Sequence, residues 1–195
     1  MAWTGCGDRR CFWAVSVSIV KRNEMDRDYI YWPSNWRAMI WAGVMAGIAS
    51  TLIEILLWLI FTDDFPAILY RDARLTAAMA LGSSVLSPAA TFDVGIMLMA
   101  TLIHFLISIA CAVLLALVTA RLDTIPAPLA GIGFGIALYV VNLYGFTAIF
   151  PWFAQTRGWI TLIAHGVFGL TAILAYRRLA FSVPFSNEQS QPGVH

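Results

Sequence analysis

Four polar residues stand inside long apolar segments of this chain, and their types suit proton or metal chemistry. They are Glu54, His104, Asn142 and His165. A carboxylic acid and an imidazole can exchange a proton, and such residues recur in proton pathways through membranes. Two imidazoles on helices that run in the same direction can also ligate a haem iron or another metal. A third interpretation is structural, because hydrogen bonds among these side chains would fix the register of the helices without moving anything.

The segments that carry these residues are long enough to cross a membrane. Of the 195 residues, 60% are hydrophobic and only 12% are charged, whereas a soluble domain carries about 25% charged residues. A bilayer core of about 30 Å needs about 20 apolar residues in a helix. Segments of this kind cover residues 38–61, 94–118, 129–150 and 159–176. The predicted fold is therefore an all-α, antiparallel four-helix transmembrane bundle.

The four polar residues are predicted to lie at similar depth. At a rise of about 1.5 Å per residue, each falls roughly 10–15 Å from the outer end of its span. A charged carboxylate at the centre of a membrane helix costs on the order of 2.5–3.5 kcal/mol. Each polar side chain is therefore expected to face the bundle interior and to find a partner there. Ser50 and Ser108 share a helix face with Glu54 and His104, respectively.

The longest connection, residues 62–93, is predicted to hold a short amphipathic helix outside the spans. Pro66 suits its first turn, and Gly82 suits its end. Three charged residues are predicted on its water-facing side: Arg71, Asp72 and Arg74.

Small residues four apart predict close contacts between helices. Gly43 and Gly47 form such a pair in the first span, and Gly131 and Gly135 form another in the third. Glycines at this spacing let two helix backbones approach closely within a membrane. The sequence leaves open whether the contacts lie within one bundle or between copies in a homo-oligomer.

The predicted organisation is a cytoplasmic N-terminal tail at 1–37, a transmembrane domain at 38–178 and a disordered cytoplasmic tail at 179–195. Basic residues flank the terminal ends of the first and last spans, which predicts that both termini are cytoplasmic. These residues are Lys21, Arg22, Arg27, Arg37, Arg177 and Arg178. Met25 precedes the first span and is the expected true start of the chain.

No familiar catalytic motif accompanies these features. The sequence holds no Walker loop, no H-E-x-x-H, no G-x-S-x-G and no C-x-x-C. We therefore predict no enzyme activity and no catalytic residue, and we assign no metal site. The formal net charge of +1 predicts no nucleic-acid partner. The expected partners are the lipid bilayer, further copies of the chain or other membrane proteins.

Residues 38–178 resemble the YagU-type small bacterial inner-membrane proteins. The resemblance rests on A-G-V-M-A-G-I-A-S at 42–50, I-H-F-L-I-S at 103–108 and A-H-G-V-F-G at 164–169. It implies a multi-pass protein of the bacterial inner membrane, and the family has no settled activity. Some similar sequences are labelled sodium:proline symporter. Transporters of that class are built from inverted repeats with broken helices, and four continuous spans cannot supply both halves.

Three functions follow from the sequence. The first is proton or small-ion handling through the four polar residues. The second is a structural or accessory membrane subunit in which those residues clasp the helices together. The third is a haem-binding redox protein that uses His104 and His165.

Overall fold

The structure, a computed structural model, describes residues 35–88, 90–119 and 126–181. It has five α-helices in this part of the chain. In chain order they are α1 (Trp36–Phe61), α2 (Ala67–Leu81), α3 (Val94–Thr119), α4 (Ala127–Val140) and α5 (Trp159–Phe181). A π-helix at Val141–Gly145 and 3₁₀ turns at Ser83–Leu86, Phe146–Ala148 and Pro151–Thr156 complete the described elements.

Four of these helical segments are long and apolar enough to cross a membrane. They comprise α1, α3, the segment Ala127–Ala148 that contains α4, and α5 up to Ala180. The described residues contain no β-strand. The predicted all-α fold with four membrane-spanning helices is confirmed, and α2 occupies the connection in which a short helix was predicted.

Small residues fill the interior of the bundle, and large apolar residues cover its surface. Ala42 and Ala46 are fully buried in α1, whereas Leu98 of α3 and Leu129 of α4 are exposed. A water-soluble protein does not leave so continuous an apolar surface uncovered. In lipid there is no hydrophobic force that drives leucine inward, and close packing of small residues holds helices together instead. The chain is therefore a multi-pass membrane protein.

The helices pack in the order α4, α5, α1, α3 and α2. The end of α1 meets the start of α5 through the rings of Phe61 and Trp159, whose centroids lie 5.1 Å apart, so these two helices are antiparallel. Residues from α1, α3, α4 and α5 form the main core cluster, which includes Leu115, Phe168 and Ile173. We call the end of the bundle that carries α2 and residues 141–156 the α2 end.

Both pairs of spaced glycines lie at contacts between helices of this chain. A Cβ atom built on Gly43 would lie 2.6 Å from the Cα atom of Ile109, so α1 and α3 touch at the backbone. A Cβ atom built on Gly131 would lie 2.6 Å from the Gly169 carbonyl oxygen, and one built on Gly135 would overlap the His165 carbonyl oxygen. The absence of side chains at these glycines therefore sets the spacing of α1 against α3 and of α4 against α5.

The prediction that Arg74 faces water is wrong. Its side chain is only 5% exposed. The guanidinium donates to the Val85 carbonyl oxygen over 2.9 Å and to the Thr91 hydroxyl over 2.8 Å. Arginine supplies five N–H donors in a fixed fork, which suits it to joining several acceptors of an irregular segment. Arg74 therefore links the connection that follows α2 to that helix. The helix ends where the sequence predicts, at Gly82, which has a φ of 82°.

Several sequence predictions fall outside the described residues. These are the start at Met25, most of the N-terminal tail and the C-terminal tail from residue 182. The basic residues Lys21, Arg22 and Arg27 belong to the same group. Helix α5 continues to Phe181, beyond the predicted end of the transmembrane domain at residue 178.

Candidate functional site

A cavity of about 490 Å³ lies within the bundle towards the α2 end. Residues from all five helices and from the π-helix line it, and we call it the polar cavity. Its lining includes every member of the predicted constellation: Glu54, His104, Asn142 and His165. Ser50 and Ser108 line it as well. The structure thus brings side chains from four separate spans to one cavity.

Glu54 projects from α1 and is bound by a residue of α5. The hydroxyl of Thr161 donates to Glu54 Oε1 over 3.1 Å. Among the described residues, no arginine, lysine or histidine forms an ion pair with the Glu54 carboxylate. The nearby Asp72 carboxylate, in contrast, forms a salt bridge with Arg71. The position of Thr161 follows from the antiparallel packing of α1 and α5, which sets the first turn of α5 beside the last two turns of α1. Glu54 therefore accepts a hydrogen bond from a neutral hydroxyl and faces the polar cavity.

His165 is oriented by both of its ring nitrogens. Nδ1 lies 2.8 Å from the carbonyl oxygen of Thr161; because a carbonyl only accepts, Nδ1 carries a proton. Nε2 lies 3.2 Å from Asn142 Nδ2, and in a neutral ring Nε2 accepts from that amide. A second proton on the ring would require Asn142 to turn its amide and present its oxygen. Asn142 can therefore serve as a partner to either charge state of His165.

Thr161 joins the two titratable side chains. Its hydroxyl donates to Glu54, and its carbonyl accepts from His165. The resulting chain of contacts runs from Glu54 through Thr161 and His165 to Asn142. Threonine is common in membrane helices, and no local pattern marks Thr161, so sequence reasoning does not identify it.

His104 binds a different partner. Its Nε2 atom lies 3.3 Å from the Gly47 carbonyl oxygen and 3.2 Å from the Thr51 hydroxyl. A Cβ atom built on Gly47 would lie 3.2 Å from this nitrogen and 2.9 Å from the Ser108 hydroxyl. The ring therefore reaches the backbone of α1 because residue 47 has no side chain. His104 shares the cavity with Glu54 and His165, but it makes no hydrogen bond to either of them among the described residues.

The ring orientations do not favour one haem held by both histidines. Axial ligation needs the Nε2 lone pair of each ring to point at the same iron atom. The His104 Nε2 atom instead donates towards Gly47 on α1, and the His165 Nε2 atom engages Asn142. Within the described residues no three His, Cys, Asp or Glu side chains are grouped closely enough to hold a metal ion.

The third span changes from an α-helix to a π-helix around Asn142, a residue of the site. Helix α4 ends at Val140, and a π-helix covers Val141–Gly145, which includes Asn142. The wider turn alters the direction of Asn142, and single π turns are frequent at functional sites. Arg157 supports this turn, since its Nε donates to the Leu143 carbonyl over 2.8 Å. The third span, predicted over 129–150, is helical over Ala127–Ala148, but its hydrogen bonding changes from α to π at Val141.

A second cavity, of about 200 Å³, adjoins the polar cavity at the α2 end, and we call it the end cavity. The two cavities share three lining residues: Asp72, Thr156 and Thr161. Burial raises the pKa of Asp72 above that of an ordinary aspartate, and the Arg71 guanidinium, 2.8 Å away, partly offsets this. Asp72 lies on the wall between the cavities, and its side chain is 19% exposed, so it is less open to water than predicted.

Comparisons of the chain with protein-family models, with curated proteins and with solved structures find no match. The case for a function therefore rests on the geometry of the polar cavity.

Proposed function

We propose that this membrane protein takes up and releases protons at Glu54 and His165 in the polar cavity, as part of moving or sensing protons or small ions. The observation that carries the proposal is the Thr161 bridge, which binds the Glu54 carboxylate with its hydroxyl and the His165 Nδ1 atom with its carbonyl. A carboxylic acid and an imidazole held on one cavity wall are the groups that proton pathways in membranes use.

The geometry defines which atoms exchange the proton. The Nδ1 proton of His165 is committed to the Thr161 carbonyl, so the exchanging site on this ring is Nε2. A proton that leaves Glu54 reaches Nε2 through water in the polar cavity. A water molecule takes about 30 Å³ in the liquid, so a space of about 490 Å³ has room for such a relay. The Asn142 amide turns as Nε2 becomes a donor.

In the part of the chain that the structure describes, the polar cavity has polar access from the α2 end. Towards the α2 end it adjoins the end cavity, with Asp72 and Thr156 on the shared wall. Towards the other end, one turn beyond Cys111 and Phe168 on the lining, the buried apolar residues Leu115 and Ile173 close the bundle. Transport through the protein would require these apolar residues to separate in a second conformation, whereas a sensor would not need it.

Proton flux into liposomes tests the proposal. Purified protein is reconstituted with a pH-sensitive dye inside the vesicles, and an imposed membrane potential drives proton entry. Wild type is expected to acidify the interior faster than empty liposomes, and Glu54→Gln is expected to remove most of that excess rate. Asp63→Asn is the matched control, because Asp63 is an exposed carboxylate outside the spans.

Two results would contradict proton transport through Glu54. One is wild-type protein that admits protons no faster than empty liposomes. The other is an excess rate that Glu54→Gln leaves intact. If Glu54→Gln lowers thermal stability while wild type shows no flux, the alternative of an accessory subunit with a helix clasp gains support.

The resemblance and the charge pattern lead us to propose the bacterial inner membrane as the location, with both termini cytoplasmic. Arg177 and Arg178 end the last span, and Arg37 begins the first, in keeping with the excess of basic residues on the cytoplasmic side.

A further inference from the structure

The polar cavity is larger and more apolar than a proton site requires. Its volume of about 490 Å³ lies within the range of about 300–1,000 Å³ that is typical of small-molecule pockets. Three phenylalanine rings line it: Phe146, Phe153 and Phe168. A proton or a hydrated inorganic ion makes no use of such walls, whereas the apolar body of an organic molecule does.

The charge on the lining favours a cation. Asp72 and Glu54 are its carboxylates, and Asp72 is already paired with Arg71. Glu54 has only the neutral hydroxyl of Thr161 as its partner among the described residues. The faces of phenylalanine rings carry partial negative charge and attract quaternary or protonated amines. An ionised Glu54 therefore has no positively charged partner among the described residues, and a cationic ligand can supply one.

We propose that the polar cavity binds a small hydrophobic organic cation, whose charged nitrogen pairs with the Glu54 carboxylate and whose apolar body lies against the three phenylalanines. The proposal rests on the proposed function, because the same carboxylate holds either the proton or the cation. Binding to the protonated site releases that proton, so one cation enters as one proton leaves and the charge in the cavity is unchanged.

The groups that face Glu54 across the cavity influence the exchange. They are Asp72 on α2, His104 and Cys111 on α3, and His165 on α5. A proton released by Glu54 can pass to His165, which would place a positive charge near the bound cation. We therefore expect the released proton to leave the cavity rather than stay on the imidazole.

Lining residues that are exposed on the surface of the bundle indicate the side from which such a molecule enters from the bilayer, where hydrophobic cations accumulate. Three residues of the cavity wall are also exposed on the surface of the bundle: Ile107 at 38%, Val141 at 51% and Phe146 at 40%. They lie on α3 and on the segment after α4. The lining of the cavity is therefore most exposed between these two elements.

A pair of probes that differ only in charge tests the proposal. Benzyltrimethylammonium carries a permanent charge and no exchangeable proton, and neopentylbenzene has the same shape with a neutral carbon in place of the nitrogen. Calorimetric titration of the full-length protein in detergent micelles, repeated in buffers of different ionisation enthalpy, gives the affinity and the number of protons released.

We expect the charged probe to bind, the neutral one to bind at least about tenfold more weakly, and up to one proton to leave per cation. Glu54→Gln is expected to weaken binding of the charged probe by about tenfold, the loss of roughly one charge pair, and to abolish proton release. Glu54→Asp keeps the charge and is expected to retain proton release, which guards against misfolding as the cause. Asp63→Asn is the matched control and is expected to leave both the affinity for the charged probe and the proton release unchanged.

Protection of Cys111 places the probe in the cavity. Cys111 lines the polar cavity, and in a variant with serine at the other two cysteines it is the sole thiol. Bound benzyltrimethylammonium is expected to slow its modification by a thiol reagent.

Equal binding of both probes, or cation binding that Glu54→Gln leaves unchanged, would overturn the proposal. Equal binding would identify the cavity as an apolar space that suits a lipid chain. Proton flux into liposomes without any probe is measured separately. Flux that depends on Glu54 together with absent cation binding would refute this inference and leave the proposed function standing.

Discussion

Gly135→Ala is expected to force α4 away from α5 and to destabilise the protein, although alanine is the better helix former. A Cβ atom built at this position overlaps the His165 carbonyl oxygen and lies 2.8 Å from the carbonyl carbon. Both are backbone atoms of α5, so no rotation of a side chain can relieve the overlap. About two turns further along the same span, Asn142 makes its 3.2 Å contact with the His165 ring, and we expect the separation to break that contact too.

The magnitude follows from a comparison with Gly133, which lies on the same helix. Nothing lies within 4 Å of a Cβ atom built on Gly133. Replacing a mid-helix glycine with alanine stabilises a helix by about 0.5–1 kcal/mol, and this gain applies at both positions. Overpacking a close contact costs about 1–3 kcal/mol, and a clash between backbone atoms belongs at the upper end. Gly135→Ala should therefore lose about 2 kcal/mol while Gly133→Ala gains up to about 1 kcal/mol.

Reversible unfolding in mixed detergent micelles with increasing dodecyl sulfate measures both variants, with fluorescence from the eight tryptophans as the signal. The helix-propensity gain cancels in the difference between the two alanine variants, which leaves the cost of the contact, about 3 kcal/mol. If Gly135→Ala unfolded at the same detergent fraction as Gly133→Ala, the close approach of α4 and α5 would be refuted. The expectation that Gly135 keeps Asn142 within reach of the His165 ring would be lost with it.

Two further predictions concern charged residues of α2. Arg74→Gln should destabilise the connection that follows α2 by about 1–3 kcal/mol, because the acceptors of a buried guanidinium lose their donor. Amide hydrogen exchange in residues 83–91 should therefore accelerate. Arg71 has a partly exposed side chain, so Arg71→Gln should not reproduce this acceleration. Burial raises the pKa of Asp72, so the folded protein binds that proton more tightly than the unfolded chain does, and stability should fall as the pH rises above about 4. Asp72→Asn should flatten this decline in unfolding experiments at a series of pH values, and an unchanged slope would contradict the assignment.

The parts of the fold that depend on composition were predictable from the sequence. Lipid as a solvent imposes length and polarity on every span, so four apolar segments of about 20 residues fix four helices within a few residues. The same constraint makes a lone Glu54 or His104 in such a segment conspicuous. Their convergence on one cavity follows because each had to avoid lipid, and the bundle interior is the only other place available.

The parts that depend on tertiary contacts were not predictable. Arg74 was assigned to the water-facing side because charge is usually solvated, but irregular backbone after α2 offers carbonyl acceptors that the sequence does not reveal. Thr161 joins Glu54 to His165 only once α1 and α5 are packed. The π turn at Asn142 carries no proline and no polar run, so its sequence is indistinguishable from that of a continuous helix.

A helix clasp and a binding site make different demands on space. In a clasp the polar side chains bond directly to one another and packed neighbours fill the remaining volume, as protein interiors are close-packed. Here Asn142 contacts His165 directly, but Glu54 and His165 are joined only through Thr161, and His104 bonds to Gly47 and Thr51 of α1. The space of about 490 Å³ between them is wide enough for several water molecules, since each takes about 30 Å³ in the liquid. Its polar lining offers the hydrogen-bond partners that buried water needs, so we infer that water or a ligand occupies the polar cavity in the membrane.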